Sequence, residues 1–397
     1  MVWRRPGQGA ILQPMIPSLP YRLLANRAHG TPGIIVLPEG GFRRAKAEIT
    51  SWPGYAVTPL RTFDGVATAA RVASVHYKDE ASRFGLASFK ALGGAYAVLK
   101  LLVVELARRD IAPNAPSAAI MAGEFAEATR DITVTCATDG NHGRSVAWGA
   151  ARCHAHCVIF VHHGVTQARR DAIAGFGAEI REVPGNYDDS VREAARVAEA
   201  KGWFVVSDTS YPGYTEVPRD VMQGYRLMAD EAAGQLPAPP THVFVQGGVG
   251  GVAAAVAIQM RARYGDGPRV IVVEPDKAAC LLASAEAGEP QVIGGALDTV
   301  MAGLACGEVS LLAWQELSRS AYAFMAIPDA AVAPCMKLLA AQGIVAGESG
   351  VAGLAGLLLA ARDTFGRAVL GLEPDSRVLL FGTEGATDPE LYAQLTA

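Results

Sequence analysis

No stretch of this 397-residue chain stays apolar for the roughly 18 residues that a membrane helix requires, so a helical span is not expected. Charge is also modest. Only 19% of residues are charged and the net balance is −4, which gives nucleic acid or an anionic membrane no electrostatic claim as a partner. The six cysteines, Cys136, Cys153, Cys157, Cys280, Cys306 and Cys335, lack the pattern of a disulfide framework and sit mostly in apolar contexts. Buried free thiols are the expectation. Arg4 and Arg5 lie near the start, but Gln13, Pro14, Pro17 and Pro20 interrupt the residues after them. That pattern does not read as a signal peptide, and a cytoplasmic protein is expected. Neither an internal repeat nor a low-complexity segment is found. Lysine itself is scarce, with seven in all: Lys46, Lys78, Lys90, Lys100, Lys201, Lys277 and Lys337.

Half the residues are apolar, an ordinary globular balance, and the chain is long for one core, which points to two domains. Residues 1 to about 55 are rich in Pro, Gly and Arg and read as an irregular arm with one or two short strands, such as Gly33–Leu37. A first core strand is expected at Ala70–Tyr77, and a long apolar helix at Ala91–Arg108. Ala112–Arg130 reads as a loop with room for a short helix. Strand and helix then alternate: strands at Ile132–Ala137, Cys157–Val161, Glu179–Val183 and Trp203–Ser207, with helices at Asn141–Ala151, Thr166–Phe176 and Asp188–Lys201 between them. Such βα units imply a parallel sheet with right-handed crossovers. A helix at Val217–Ala233 precedes strands at His242–Gln246 and Arg269–Glu274. Residues 276 to 320 show little periodicity; helices at Ala331–Gln342 and Val351–Arg362 and a last strand at Val378–Phe381 close the chain. The expected fold is α/β in two domains, each a mostly parallel sheet flanked by helices. Residues 1–92 and 210–397 form the larger domain and 93–209 the smaller.

Several of these junctions carry groups suited to chemistry. Lys90, beside Phe89, stands where a loop of small and aromatic residues meets the long apolar helix. A lysine held there can lose water and some basicity, as a Schiff-base amine requires, although a surface lysine capping a helix is the commoner case. Gly247-Gly248-Val249-Gly250-Gly251 lies between a strand and a helix start, where bare backbone N–H groups can wrap a phosphate. It also fits a dinucleotide fingerprint running to Ala253, with Glu274 placed to hold a ribose, and a plain tight turn would need no ligand. Thr138-Asp139-Gly140-Asn141-His142-Gly143 follows a strand and could be no more than a helix cap and turn. Glu348-Ser349 and Thr383 sit at a helix start and a strand end. Cys153-His154-Ala155-His156-Cys157 has the look of a metal tract, yet its ends belong to a helix and a strand and need not converge. No metal is expected.

The run Arg83-Phe84-Gly85-Leu86, followed by Phe89-Lys90-Ala91-Leu92-Gly93-Gly94-Ala95-Tyr96-Ala97, resembles the lysine segment of the diaminopropionate ammonia-lyases, tryptophan-synthase-β-like enzymes that use pyridoxal 5′-phosphate (PLP). The likeness extends from about Pro59 to the C-terminus and implies PLP fold type II. It also implies roles: Lys90 carries PLP, Asn141 hydrogen-bonds the ring hydroxyl oxygen, and Gly247–Gly251 take the phosphate. Thr383 would face the pyridine nitrogen, and Glu348 belongs to a matching Gly-Glu-Ser-Gly segment. Asp139 and Asp208 would recognise an amine, with Asp139 the base for the D-substrate and Lys90 for the L-substrate. The reaction implied is α,β-elimination of 2,3-diaminopropionate, D or L, to pyruvate and ammonia in a homodimer. Where the family shows Trp-Glu, this chain has Tyr211-Pro212, which alters the pocket. A serine or threonine dehydratase-like eliminase, a PLP-binding protein without turnover and a nicotinamide or flavin oxidoreductase are the alternatives.

Overall fold

A computed structural model describes residues 16–138, 140–185 and 187–397, with Asp188 lacking a described side chain. The described residues form eleven strands: β1 (Arg22–Ala25), β2 (Leu60–Thr62), β3 (Ser74–Asp79), β4 (Thr133–Ala137), β5 (His156–His162), β6 (Glu179–Val183), β7 (Phe204–Val205), β8 (His242–Gln246), β9 (Arg269–Pro275), β10 (Ala323–Ile327) and β11 (Arg377–Gly382). Seven of them make one sheet in the order β1-β10-β9-β8-β11-β3-β2, and β6-β5-β4-β7 make a second. Pairing is parallel throughout the second sheet and in the middle of the first; only the edge strands β1 and β2 run antiparallel to their neighbours. Every residue of β8 and β10 is buried, as in parallel strands covered on both faces, so neither strand alternates apolar and polar residues.

The helix Ala91–Arg108 joins the two sheets. It contains no proline, and most of its residues are buried. Three glycine contacts let it sit tightly between neighbours on either side. A Cβ on Gly94 would fall 2.0 Å from Ser145 Oγ, and one on Gly149 would fall 2.6 Å from Ala95 Cα, so the helix Asn141–Arg152 packs backbone to backbone against it. On the other flank a Cβ on Gly224 would reach within 1.8 Å of Leu92 O, bringing the helix Glu216–Gln235 equally close. Lys90, one residue before the first turn, is thereby aimed between the two sheets.

Four differences from the expected elements stand out. Gly33–Leu37 is not a strand. Its Ile34 and Ile35 are exposed, and the carbonyls of Val36 and Leu37 accept from Arg219 and Arg226 instead of a ladder partner. The strand of the arm is β1, and the arm also carries a helix, Glu39–Thr50, hidden in sequence by Gly40-Gly41 and Arg43-Arg44. Its buried stripe is Phe42, Ala45 and Ile49, and the Arg226 guanidinium lies 4.4 Å over the Phe42 ring. The strand expected at Ala70–Tyr77 begins later, at Ser74, because residues Asp64–Ala70 form a helix that ends at Arg71 in the left-handed region. Within the weakly periodic segment the helices Cys280–Ala287 and Leu311–Ser320 form, and β10, which comes after them, had no counterpart in the sequence reading.

Candidate active site

Between Asp79 and Lys90 the chain takes a strained path, with Phe84 at φ 50° and Ala87 at φ 51°, a region that costs a non-glycine residue roughly 1–2 kcal/mol. The surroundings hold it there. Arg83 is buried and bonded to both Glu80 and Glu231. Downstream, Gly385 N–H donates to Ala87 O at 2.9 Å and Phe89 N–H to Thr383 O at 3.1 Å. The lysine loop is thus stitched to the turn after β11.

Lys90 Nζ donates to Asp208 Oδ2 at 2.5 Å. Burial works against the ammonium, but the adjacent Asp208 carboxylate outweighs it and holds the Lys90 amine well above its ordinary value. Burial likewise opposes the carboxylate, and the Lys90 charge keeps Asp208 well below the usual range. The rings of Phe89 and Tyr225 wall the amine, with centroids 5.6 and 5.7 Å from Nζ. His142 Nε2 pairs with Val206 O at 2.7 Å and Nδ1 lies 3.9 Å from Asp208 Oδ2. Burial lowers its pKa, so the ring is neutral, and with Nε2–H donating to the carbonyl, Nδ1 is left without a hydrogen-bond partner.

Opposite the lysine, the glycine loop turns from β8 into the helix Gly251–Tyr264. The first intrahelical bond runs from Ala254 N–H to Gly250 O, so the amides of residues 251–253 have no carbonyl one turn back. Glu274 packs against Gly247 of this loop, but its carboxylate is not free to take a ribose. Its oxygens accept from Leu281 and Leu282 N–H at 2.8 Å each, and burial pushes its carboxyl up to about 8. The dinucleotide reading loses its acidic residue to a helix start.

One cleft is lined by Phe89, Lys90, Asn141, Asp208, Gly247, Gly248, Val249, Gly251 and Thr383. Gly250 and Glu348 stand behind its wall: a Cβ on Gly250 would meet Ala313, Leu281 and Leu317, while Glu348 is buried and takes a 2.5 Å bond from Arg169. Asp139 lies outside the described residues, although Thr138 and Gly140 on either side of it line the cleft. The metal tract stays dispersed, with Cys153 and Cys157 buried and His156 exposed. Among the described residues no group of three His, Cys, Asp or Glu side chains is set to hold an ion.

The structure adds cleft residues that the sequence reading did not single out: Glu384, Arg169 and Tyr225. Glu384 directly follows Thr383 in the same turn, a signal available in sequence; Arg169 and Tyr225 arrive only through packing. Tyr225 Oη and Gln246 Oε1 join His142 Nδ1 as buried cleft atoms without a hydrogen-bond partner among the described residues. A lysine amine, a helix start rich in N–H donors, a side-chain amide and a hydroxyl around one space suit an anionic, phosphate-bearing aldehyde. This is the chemistry of a fold type II PLP site.

Comparison with known proteins agrees. The family model described as "Pyridoxal-phosphate dependent enzyme" matches residues 51–375. Diaminopropionate ammonia-lyase from Salmonella typhimurium is 39% identical over 363 residues, covering 86% of this chain and 88% of its own. Its counterpart from Escherichia coli K12 is 40% identical over 355 residues, covering 86% and 87%. The solved Escherichia coli enzyme in complex with an aminoacrylate–PLP azomethine reaction intermediate superposes with a TM-score of 0.86 at 35% identity, over 96% of this chain and 98% of that one. The chain belongs to the PLP-dependent enzymes and, within them, to the diaminopropionate ammonia-lyase family.

Proposed function

We propose that this enzyme is a carbon–nitrogen lyase that eliminates ammonia from 2,3-diaminopropionate, yielding pyruvate and two ammonia molecules. The observation that carries the reading is the part-buried Lys90–Asp208 pair, facing the glycine loop and Asn141 across one cleft. PLP, when bound, supplies an electron sink for the bond broken at the α-carbon. Lys90 holds the cofactor and, as a free amine, takes the α-proton of the L-substrate at Nζ. The first-turn amides at Gly251 and beyond, reached through the turn at Gly247, Gly248 and Val249, hold its phosphate. Phe89 and Tyr225 exclude water from the amine. Asn141 would donate to the ring oxygen of the bound cofactor, and the Thr383 hydroxyl would serve its ring nitrogen without adding charge. Asp208, its negative charge matched to Lys90 in the resting protein, suits the cationic β-amine of the substrate once the lysine is engaged. Asp139 acts from the other face as base for the D-substrate.

The division into a larger unit (1–92 and 210–397) and a smaller one (93–209) belongs to the same reading and is supported by the two separate sheets. So do a homodimer and a cytoplasmic setting; no helix among the described residues is long and apolar enough to cross a membrane. The deciding assay is pyruvate release from L- and D-diaminopropionate by PLP-loaded protein, with borohydride reduction to attach the cofactor irreversibly. Pyruvate formation together with a label on Lys90 supports the reading. No pyruvate from either enantiomer, or a label on another lysine, overturns it.

A further inference from the structure

The segment Gly347-Glu348-Ser349-Gly350 has a use that a helix cap does not explain. It wraps the side chain and backbone of Glu384. Ser349 N–H donates to Glu384 Oε1 at 2.8 Å and Gly347 N–H to Glu384 O at 3.0 Å. Both glycines pack against the Glu384–Gly385 turn, where a Cβ on Gly347 would also fall 2.5 Å from Gly385 O. A Cβ on Gly347 would lie 2.8 Å from Glu384 Cγ and 2.9 Å from Oε1, and one on Gly350 would lie 3.0 Å from Glu384 O. The carboxylate so cradled is 4% exposed and presents its other oxygen, Oε2, to Asn141 Nδ2 at 2.5 Å. Its two oxygens therefore accept from opposite sides of the cleft, one from the turn before the helix Ala352–Ala360 and one from the start of the helix Asn141–Arg152.

A side-chain amide has a donor end and an acceptor end of nearly the same shape, so its neighbours decide which way it points. An ionised carboxylate only accepts. Reversing the Asn141 amide would set its Oδ1 against Glu384 Oε2, acceptor against acceptor. We infer that Glu384 is a positioning residue: it locks the Asn141 amide so that Nδ2, which carries a second hydrogen, is the atom offered to the cofactor ring. The inference rests on the PLP reading above and assigns the Gly-Glu-Ser-Gly segment as the support for that lock. Glutamine cannot replace the carboxylate, because Ser349 N–H and Asn141 Nδ2 both require an acceptor and its amide has only one oxygen.

The test uses the PLP-loaded protein and reads its visible absorption band as a function of pH, together with retention of PLP on dialysis. Glu384→Gln should keep PLP, since the lysine and the glycine loop are intact, but shift the band's pH midpoint in the same direction as Asn141→Ala. The double variant should shift no further than Asn141→Ala alone, because the two residues act through one atom. Gly347→Ala, which displaces Glu384 without altering its charge, should reproduce the shift and serves where Glu384→Gln does not fold. Additive shifts would overturn the inference. So would wild-type behaviour in both Glu384→Gln and Gly347→Ala, or an Asn141→Ala band that does not move. A wild-type protein that develops no band at all would instead sink the PLP reading itself, a result distinct from all of these.

Discussion

Phe89 N–H donates to Thr383 O at 3.1 Å, tying the residue beside the lysine to the residue after β11. An antiparallel bridge between Ser88 and Glu384 lies beside this bond, and Gly385 N–H closes on Ala87 O. Nearly 300 residues of chain separate the two turns, yet the backbone fixes them as one piece. Lys90 and the Thr383–Glu384 pair therefore keep a constant spacing, while Asn141 and Asp208 approach from the other sheet.

Replacing Asp208 with Asn leaves the Lys90 ammonium buried without its counter-charge, and its pKa should fall. PLP should then attach faster at neutral pH, while kcat/KM for diaminopropionate falls by about 10²-fold, the scale for losing a buried charge partner. Stopped-flow absorbance and a pyruvate assay separate the two. The pH sign is also fixed. Asp208, lowered in the folded protein, contributes fully above 3.8 and loses its contribution as pH falls through the lowered value. Lys90, raised, contributes fully below 10.5 and loses its contribution as pH climbs through the raised value. Wild type and variant should thus differ in stability across the neutral range and converge only at the extremes.

Gly248 and Gly250 should fail in different ways. Both have positive φ, 58° and 94°. A Cβ on Gly248 would have only Gly303, Leu304 and Cys306 near it, at 3.6–3.7 Å, whereas one on Gly250 would press on Ala313 at 3.0 Å and on Leu281 and Leu317 at 3.2 Å. Gly250→Ala should cost roughly 1–3 kcal/mol of stability through overpacking, whatever the ligand. Gly248→Ala should lower the melting temperature less and weaken PLP more. Equal melting losses with equal PLP affinities would remove Gly248 from the phosphate site.

For Asp139→Asn the expected result is selective. D-diaminopropionate activity should drop by the ~10²–10⁴-fold typical of a positioned base, with PLP and a measurable L-activity kept. Pyruvate release is followed for each enantiomer separately. Equal losses on both would make Asp139 a binding or capping residue.

Burial lowers His242 from 6.5 to about 4, and its ring is fixed by Leu370 O at 2.9 Å. The folded value lies below the unfolded one, so its contribution is complete above 6.5 and is lost as pH falls toward 4. The full loss amounts to about 3 kcal/mol. Urea midpoints measured from neutral pH down to 4 should fall steeply in wild type and less steeply in His242→Gln. Parallel slopes would show that this histidine does not contribute.

The order of elements from Ile132 to the glycine loop was legible in the chain because each element there carries its own period and its own stop: a β-branched strand, then glycine or asparagine, then an apolar stripe. Lys90 was legible for a related reason, since it stands at such a junction, whereas Asn141, Asp208 and Thr383 were pointed to by the family resemblance; all four line the cleft. What local pattern could not carry was anything set by partners far away. Ala323–Ile327 became an inner strand through its pairing with Arg22–Ala25 and Arg269–Pro275, and Glu39–Thr50 became a helix through its packing on the helix Glu216–Gln235. Gly250 lies in the same loop as Gly248, and only the packing of Leu281, Ala313 and Leu317 turns it away from the cleft. Glu384 meets Asn141 only because parallel strands from two sheets end facing one another, and no spacing along the chain encodes that meeting.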